Sequence, residues 1–181
     1  MTFGRDELLM FLQEIDDLLD GEAALEIVGG AAAVLAYGAT EPTKDIDSFS
    51  PIDERISAAA ARTSLRISLD RRAGAVGDAP INYEDRRLRL DLPFRRLAIW
   101  VPERHDLLLM KTVRSSRHDD EVIEEMHKVE PFQLDLLIDR FNAEMGHVIG
   151  DPVELSFRFA DVIVRLFGRA AAAKVRRKRP R

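Results

Sequence analysis

Ile27-Val28-Gly29-Gly30-Ala31 is the stretch on which the predicted fold depends. A short apolar run ends in two glycines, and the alanine-rich run that follows, residues 31–37, favours a helix. A strand is therefore expected to pass into a helix through a glycine turn, where a backbone can come close to a bulky anion. The start of a helix also offers free N–H groups and a partial positive charge, so this turn is a candidate phosphate-binding site.

Two aspartates, Asp45 and Asp47, follow the glycine turn. If residues 44–49 form a strand, both carboxylates project from one face while Ile46 points into the core. Two like charges this close repel each other unless a cation lies between them, and Mg²⁺ favours carboxylate oxygens with phosphate as a co-ligand. The alternative is a solvated strand face or turn, but Asp is disfavoured in strands, so two in one strand indicate a metal site. Together the two motifs predict a site for a nucleoside triphosphate and a metal ion.

This pair of motifs resembles the pattern of the nucleotidyltransferase superfamily, which is a hydrophobic residue, Gly-Gly or Gly-Ser, a spacer, and Asp-hydrophobic-Asp. The longer form, with Gly38 and Thr43-Lys44 before the aspartates, looks most like the small prokaryotic branch that includes the AbiEii-type toxins and the DUF6036 group. The sequences Tyr-Glu-Asp-Arg at 83–86 and His-Asp-Leu-Leu-Leu-Met-Lys at 105–111 are also similar to that group. The resemblance covers roughly residues 5–125.

The resemblance implies a metal-dependent enzyme that transfers NMP from an NTP, with ATP as the expected nucleotide, to a hydroxyl group of RNA or protein. Asp45 and Asp47 would be catalytic and would bind Mg²⁺ or Mn²⁺. Phosphate oxygens would be held by three further residues: Gly29, Gly30 and Thr43. The toxin relatives imply a toxin–antitoxin or phage-defence component, with a cognate antitoxin or toxin as its partner.

The superfamily usually carries a third catalytic carboxylate on a strand beside the Asp-x-Asp strand. Residues 87–92 alternate as a strand does, and Asp91 shares their polar face with Arg87 and Arg89, so Asp91 is the candidate. For Asp91 the alternative is a plain cross-strand ion pair. Two other acids, Asp78 and Asp85, are rivals for the role of third carboxylate. It also stays open that no residue fills this role. In relatives the lysine equivalent to Lys111 lies near the active site, so Lys111 is predicted to meet a phosphate or a carboxylate; the alternative is a surface lysine on an amphipathic helix.

One departure from the branch puts turnover in question. Many members have an arginine four residues before the first aspartate, where this chain has Glu41. An anion therefore stands where a cation would face phosphate. The alternative function is a catalytically weak nucleotide-binding or regulatory module of the same fold.

Composition indicates a soluble globular protein of 181 residues, with 46% hydrophobic and 33% charged residues. The chain has no cysteine, which excludes disulfides and thiolate metal sites. No apolar run approaches the ~20 residues that span a bilayer, and the acidic N-terminal residues do not resemble a signal peptide. A cytoplasmic protein without a membrane partner is therefore expected.

Hydrophobic periodicity predicts both helices and strands over residues 1–103. The resemblance implies that they form an α/β (α+β) fold, with a mixed sheet of the nucleotidyltransferase type flanked by helices. A helical part at 104–170 and a basic, disordered tail at 171–181 are expected to follow. The predicted helices cover 5–19, 31–37, 52–65, 103–113, 131–145 and 152–167, and the predicted strands 25–28, 44–49, 87–92 and 97–101, with 69–80 mainly loop. The last helix is expected to pack in the core, with self-association into a homo-oligomer as the alternative. Six basic residues in 174–181, against a net charge of −5 for the chain, make RNA binding by the tail a third hypothesis.

Overall fold

The computed structural model describes residues 1–72, 78–114 and 116–177, with side chains described up to residue 175. The chain divides into two compact units. Unit 1 comprises Met1–Val76 and Arg87–Pro102, and unit 2 comprises Gly77–Arg86 and Glu103–Arg181. Strands lie in unit 1, and unit 2 is built from helices, so the predicted mixed α/β class with a helical C-terminal part is confirmed.

Unit 1 is a set of short strands with helices between them. Its elements are α1 (Arg5–Leu18), β1 (Ala23–Glu26), α2 (Gly29–Ala36), β2 (Asp45–Ser48), α3 (Glu54–Ala60), β3 (Ser68–Arg71), β4 (Leu88–Arg89) and β5 (Leu97–Val101). In one sheet β5 lies between β1, to which it is parallel, and β4, to which it is antiparallel. In a second sheet β2 and β3 pair in parallel. A single bridge between Val28 and Asp47 connects the end of β1 with β2.

The core of unit 1 follows from the two hydrophobic periodicities. Helix α1 buries apolar side chains at the spacing of one helical face, and it packs against α2, α3 and β5. Helix α2 is apolar on every side, and its residues 31–35 are all buried, as expected for a short helix inside a core. The strands bury alternate residues such as Leu97, Ile99 and Val101. The fold therefore places the glycine turn at the N-terminus of a fully buried helix.

Asp16 of α1 attaches the helix to the sheet. Its side chain is fully buried and accepts hydrogen bonds from the backbone N–H groups of Arg95 (3.0 Å), Arg96 (2.6 Å) and Leu97 (2.7 Å) at the start of β5. Burial favours the neutral acid, but the three N–H donors and the charge of Arg95 outweigh it and lower the pKa of Asp16. A buried carboxylate thus satisfies backbone donors that would otherwise be unpaired.

Several predicted boundaries were wrong in unit 1. Residues 69–80 were predicted to be loop with little strand, and the structure has one short strand there, β3, which begins at Ser68 and pairs with β2 along its length. Residues 73–77 lie outside the described part of the chain. The strand predicted at 87–92 is only Leu88–Arg89, because it is an edge strand whose residues are exposed. The helix predicted at 52–65 is shorter, beginning after Asp53, whose side chain accepts a hydrogen bond from the N–H of Arg55 at 2.8 Å.

Unit 2 consists of α4 (Arg104–Arg114), α5 (Arg117–Val129), α6 (Leu134–Glu144), α7 (Pro152–Phe167) and α8 (Arg169–Arg177). Its apolar core includes Phe141 and Phe159, whose rings stack with centroids 4.0 Å apart. Helix α5 was not predicted, because its apolar positions are few and separated by charged residues. The tail predicted to be disordered from residue 171 is helical as far as Arg177, and residues 178–181 lie outside the described part.

A charged network inside unit 2 explains why residues 77–86 belong to it. Asp106 is fully buried and accepts two hydrogen bonds from Arg86 (2.8 and 3.0 Å) and one from Arg140 (2.8 Å). Arg86 also binds Glu144 at 2.7 Å. Because removing one partner would leave a buried charge unpaired, this network ties the 3₁₀ turn at Tyr83–Arg86 to α4 and α6.

Within the described residues, no helix is both long and apolar enough to cross a bilayer.

We predict that Asp16→Asn lowers the free energy of unfolding by about 1–3 kcal/mol at neutral pH, because an amide replaces a charged acceptor of backbone N–H groups. The folded-state pKa of Asp16 lies below its ordinary value of 3.8. Its stabilisation is therefore present above that value and disappears as the pH falls through the folded-state pKa, so wild type and variant should converge in acid. Denaturant unfolding at several pH values checks this.

Asp17→Asn is the matched control. Asp17 is the next residue along α1, but its carboxylate is half exposed and pairs with the exposed Arg95 guanidinium at 3.3 Å. A surface pair of this kind contributes at most about 1 kcal/mol. Equal losses in the two variants would contradict the anchoring role of Asp16.

Candidate metal and nucleotide site

Three carboxylates meet on one face of the β2–β3 pair. Asp45 and Asp47 lie two residues apart on β2, and Asp70 on β3 is the register partner of Asp47. One oxygen from each carboxylate can be chosen such that all three lie within 4.8 Å of one another. Asp45 and Asp47 therefore face the same side, as the i, i+2 geometry requires, and the parallel pairing brings a third acid to them.

The glycine turn lies directly beside these acids. Gly29 has φ +69°, a conformation that residues with a side chain rarely adopt. A Cβ atom on Gly29 would lie 3.6 Å from Oδ2 of Asp47, and the N–H of Val28 donates to the carbonyl oxygen of Asp47 at 2.8 Å. The structure thus brings the two predicted motifs together at the N-terminus of α2.

Gly30 and Thr43 pack against each other behind the turn. A Cβ atom on Gly30 would lie only 3.0 Å from Oγ1 of Thr43, so the absence of a side chain allows this close approach. Thr43 is buried, and its hydroxyl group donates to the carbonyl oxygen of Asp45 at 3.1 Å. The hydroxyl of Thr43 thus supports the backbone of β2, and the phosphate-binding role of Thr43 stays a prediction.

Arg72, the residue after β3, neutralises part of this negative charge. Its Nε donates to Oδ1 of Asp47 at 2.8 Å, and one of its terminal nitrogens lies 3.7 Å from Oδ2 of Asp45. The hydrogen bond to Asp47, with the charges of Asp47, Asp45 and Asp70, raises the pKa of Arg72. The guanidinium is half exposed, whereas the Asp47 side chain is only 11% exposed.

The donor set fits a hard divalent cation. Mg²⁺ and Mn²⁺ take oxygen ligands, and three carboxylates close enough to share one ion offer a suitable set. The guanidinium of Arg72 already lies against two of them and shows that the position attracts positive charge. Asp45, Asp47 and Asp70 are therefore the residues that would hold the metal.

The structure does not bring Asp91 to this group. Asp91 is exposed and lies beyond the end of the edge strand β4, and among the described residues the acids that cluster with Asp45 and Asp47 include Asp70 instead. The rivals Asp78 and Asp85 belong to unit 2. Burial raises the pKa of Asp78, only partly offset by Arg114, and Asp85 is exposed on the 3₁₀ turn.

Lys111 lies inside unit 2 and is ion-paired there. Its side chain is 2% exposed, and its ammonium group donates to Oδ1 of Asp119 at 2.9 Å. Burial lowers the pKa of Lys111, and Asp119 offsets this only in part. Burial would raise the pKa of Asp119, but Lys111 and the Ser116 hydroxyl outweigh it and lower that pKa. The surface alternative for Lys111 was wrong, because the side chain is buried and its ammonium group meets the carboxylate of Asp119. A contact of Lys111 with phosphate stays a prediction.

Sequence reasoning missed Asp70 and Arg72. Both lie in the segment that was predicted to be mainly loop, because Ser68–Arg71 is a four-residue strand with no buried residue to mark its period. The one available signal was the alternation of Ser68, Asp70 and Arg72, which places polar side chains at i, i+2 and i+4. This alternation indicates a third acid beside Asp45 and Asp47 only when the pairing of β3 with β2 is known.

Comparison with known proteins gives the family of the chain. A family model described as nucleotidyltransferase of unknown function, DUF6036, matches residues 6–160. No curated protein and no solved structure gives a significant match. The match covers both motifs, the glycine turn and the acids on β2 and β3. The chain therefore belongs to the DUF6036 family of nucleotidyltransferases of unknown function.

Proposed function

We propose that this protein transfers a nucleoside monophosphate from an NTP, with ATP as the expected donor, to a hydroxyl group of RNA or protein, in a reaction that depends on Mg²⁺ or Mn²⁺. The observation that carries the proposal is the convergence of three carboxylates with a glycine turn at a helix N-terminus. Asp45, Asp47 and Asp70 are the proposed metal ligands. This replaces Asp91 by Asp70 as the third carboxylate.

Each part of the site has a task that follows from its chemistry. The cation, when bound, would neutralise charge on the triphosphate and lower the pKa of the attacking hydroxyl group. The three carboxylates would set its position, since β2 and β3 hold them in register. Gly29 would let phosphate approach the backbone, and the first N–H groups of α2, which have no partner within a helix, would donate to it.

The acceptor and the biological setting are part of the proposal. RNA and protein are the two acceptors considered, and a cognate antitoxin or toxin is the expected partner, in a cytoplasmic toxin–antitoxin or defence system. These follow from the likeness to the toxin branch and from general principles of the superfamily.

A non-catalytic nucleotide-binding module is the second candidate. It is favoured by one observation, the ion pair between Arg72 and Asp47, because an arginine already satisfies a carboxylate that catalysis would need for metal. Such a module would bind the nucleotide without transferring any part of it.

We predict that Asp45→Asn, Asp47→Asn and Asp70→Asn each weaken Mn²⁺-dependent ATP binding by at least about tenfold, since loss of a supporting partner of a metal ligand already costs about that much. Isothermal titration calorimetry with and without Mn²⁺ measures this, with circular dichroism to confirm folding. Asp91→Asn is the matched control and should bind as wild type does. If Asp91→Asn loses Mn²⁺-dependent ATP binding and Asp70→Asn binds ATP as wild type does, the third carboxylate is Asp91.

Gly29→Ala is predicted to destabilise the protein by about 1–2 kcal/mol, because a side chain is strained at positive φ. It should also weaken ATP binding by narrowing the approach to the turn beside Asp47. Gly146→Ala is the control, since its φ is not positive and nothing lies within 4 Å of the added carbon. Thermal unfolding and ATP titration of both variants test this, and ATP binding unchanged in Gly29→Ala would contradict the phosphate role of the turn.

A labelling assay tests the reaction itself. The protein is incubated with Mn²⁺ or Mg²⁺, cell lysate and each NTP labelled at the α-phosphate or at the γ-phosphate. Nucleotidyl transfer is expected to label a product from the α-labelled NTP alone, because pyrophosphate leaves. Sensitivity of the product to nuclease or protease identifies the acceptor class. ATP binding without any labelled product would favour the non-catalytic module.

A further inference from the structure

Arg72 is held at the metal site by its own backbone. Its N–H donates to the carbonyl oxygen of Ser48 at 2.7 Å, which continues the β2–β3 pairing one residue past β3. The side chain then lies on the same face as Asp70, because residues two apart in extended backbone share a face. This backbone pairing directs the side chain of Arg72 toward the carboxylates.

The guanidinium contacts two of the three carboxylates that would hold a cation. It binds Oδ1 of Asp47 at 2.8 Å and approaches Oδ2 of Asp45 at 3.7 Å. A carboxylate oxygen that accepts this hydrogen bond is screened from a second positive charge, and two cations a few ångströms apart repel each other. The guanidinium is half exposed, so it has room to move away into solvent.

The charges of the site favour movement of the guanidinium from the carboxylates to phosphate when metal and nucleotide bind. Three carboxylates carry three negative charges, and Arg72 returns one positive charge, so the metal-free site is already partly neutralised. A divalent cation that replaces the guanidinium leaves Arg72 beside the site without its former partner. A triphosphate arriving with the cation brings further negative charge, and the planar fork of a guanidinium suits phosphate oxygens.

We propose that Arg72 is an internal counter-ion that competes with the divalent cation for Asp45 and Asp47 and, once displaced, binds the phosphate groups of the nucleotide. This rests on the proposed metal and nucleotide site. It makes Arg72 a substrate-positioning residue that weakens the binding of free metal and strengthens the binding of the metal–nucleotide complex.

Metal binding without nucleotide is the first test, with Mn²⁺ titrated into the whole protein by calorimetry. Arg72→Gln is expected to bind Mn²⁺ about thirtyfold more tightly than wild type, the effect of one unit charge on a divalent ion about 4 Å away in a water-exposed setting. Arg72→Lys keeps the charge and should stay near wild type. Arg71→Gln removes the same charge from the neighbouring residue, which points to the other face of the pair, and should also stay near wild type.

Nucleotide binding is the second test, with ATP titrated at saturating Mn²⁺. Arg72→Gln is expected to bind ATP about tenfold more weakly, since a charge-assisted hydrogen bond to phosphate is lost. The ATP affinity of Arg72→Lys should lie between those of wild type and Arg72→Gln, because a single ammonium group lacks the planar fork of a guanidinium. The opposite signs of the two effects in one variant, tighter metal and weaker nucleotide, are the signature that a purely structural role would not produce.

The outcomes separate this inference from the proposed function. If wild type and Arg72→Gln bind Mn²⁺ equally, or if Arg71→Gln gains as much as Arg72→Gln, the counter-ion role is wrong and the metal site stands. If Arg72→Gln gains Mn²⁺ affinity but binds ATP as wild type does, the phosphate contact is wrong. If neither wild type nor Arg72→Gln binds Mn²⁺, the metal site fails and the role of Arg72 fails with it. Should Arg72→Gln not fold, Arg72→Lys decides by its ATP affinity.

Discussion

Parallel pairing of β2 with β3 is the constraint on which the candidate site in unit 1 depends. This pairing forces the three carboxylates onto one face, and like charges so close are unfavourable without a cation. Two sets of contacts hold the strands against that cost. Val28 and Thr43 bind the backbone beside Asp47 and Asp45, and Ser48 accepts from the backbone beyond β3. Backbone pairing, with support from the Thr43 hydroxyl, thus keeps the acids together.

The balance of partners distinguishes these acids from the buried acids that serve the fold. Asp16 is surrounded by three backbone N–H donors, and Asp106 is held by two arginines. Glu26 likewise accepts from the backbone and hydroxyl of Ser50. In each case positive or polar donors outnumber the carboxylate. At the β2–β3 pair the ratio is reversed, with three carboxylates close to one described arginine. This excess of negative charge distinguishes the candidate site from the buried acids of the fold.

The sequence motifs that suggested the family divide into two kinds. The glycine turn and the Asp-x-Asp pair lie together and form the candidate site. The motifs at 83–86 and 105–111 instead supply the internal ion pairs of unit 2, through Arg86 with Asp106 and Lys111 with Asp119. A motif shared with a family can therefore stabilise the packing of a helical unit instead of taking part in its chemistry, because breaking a buried ion pair is strongly destabilising.

The sequence by itself determined the features that are local in the chain. The glycine turn, the shared face of Asp45 and Asp47, strand β5 and helix α7 all follow from short-range periodicity and from the conformational freedom of glycine. Only the tertiary structure decided which third acid joins the pair, because Asp70 reaches it by pairing two strands that are far apart in the sequence. The same holds for Arg72 and Lys111. Whether a charged side chain faces a cation site or an internal partner depends on neighbours that sequence periodicity does not specify.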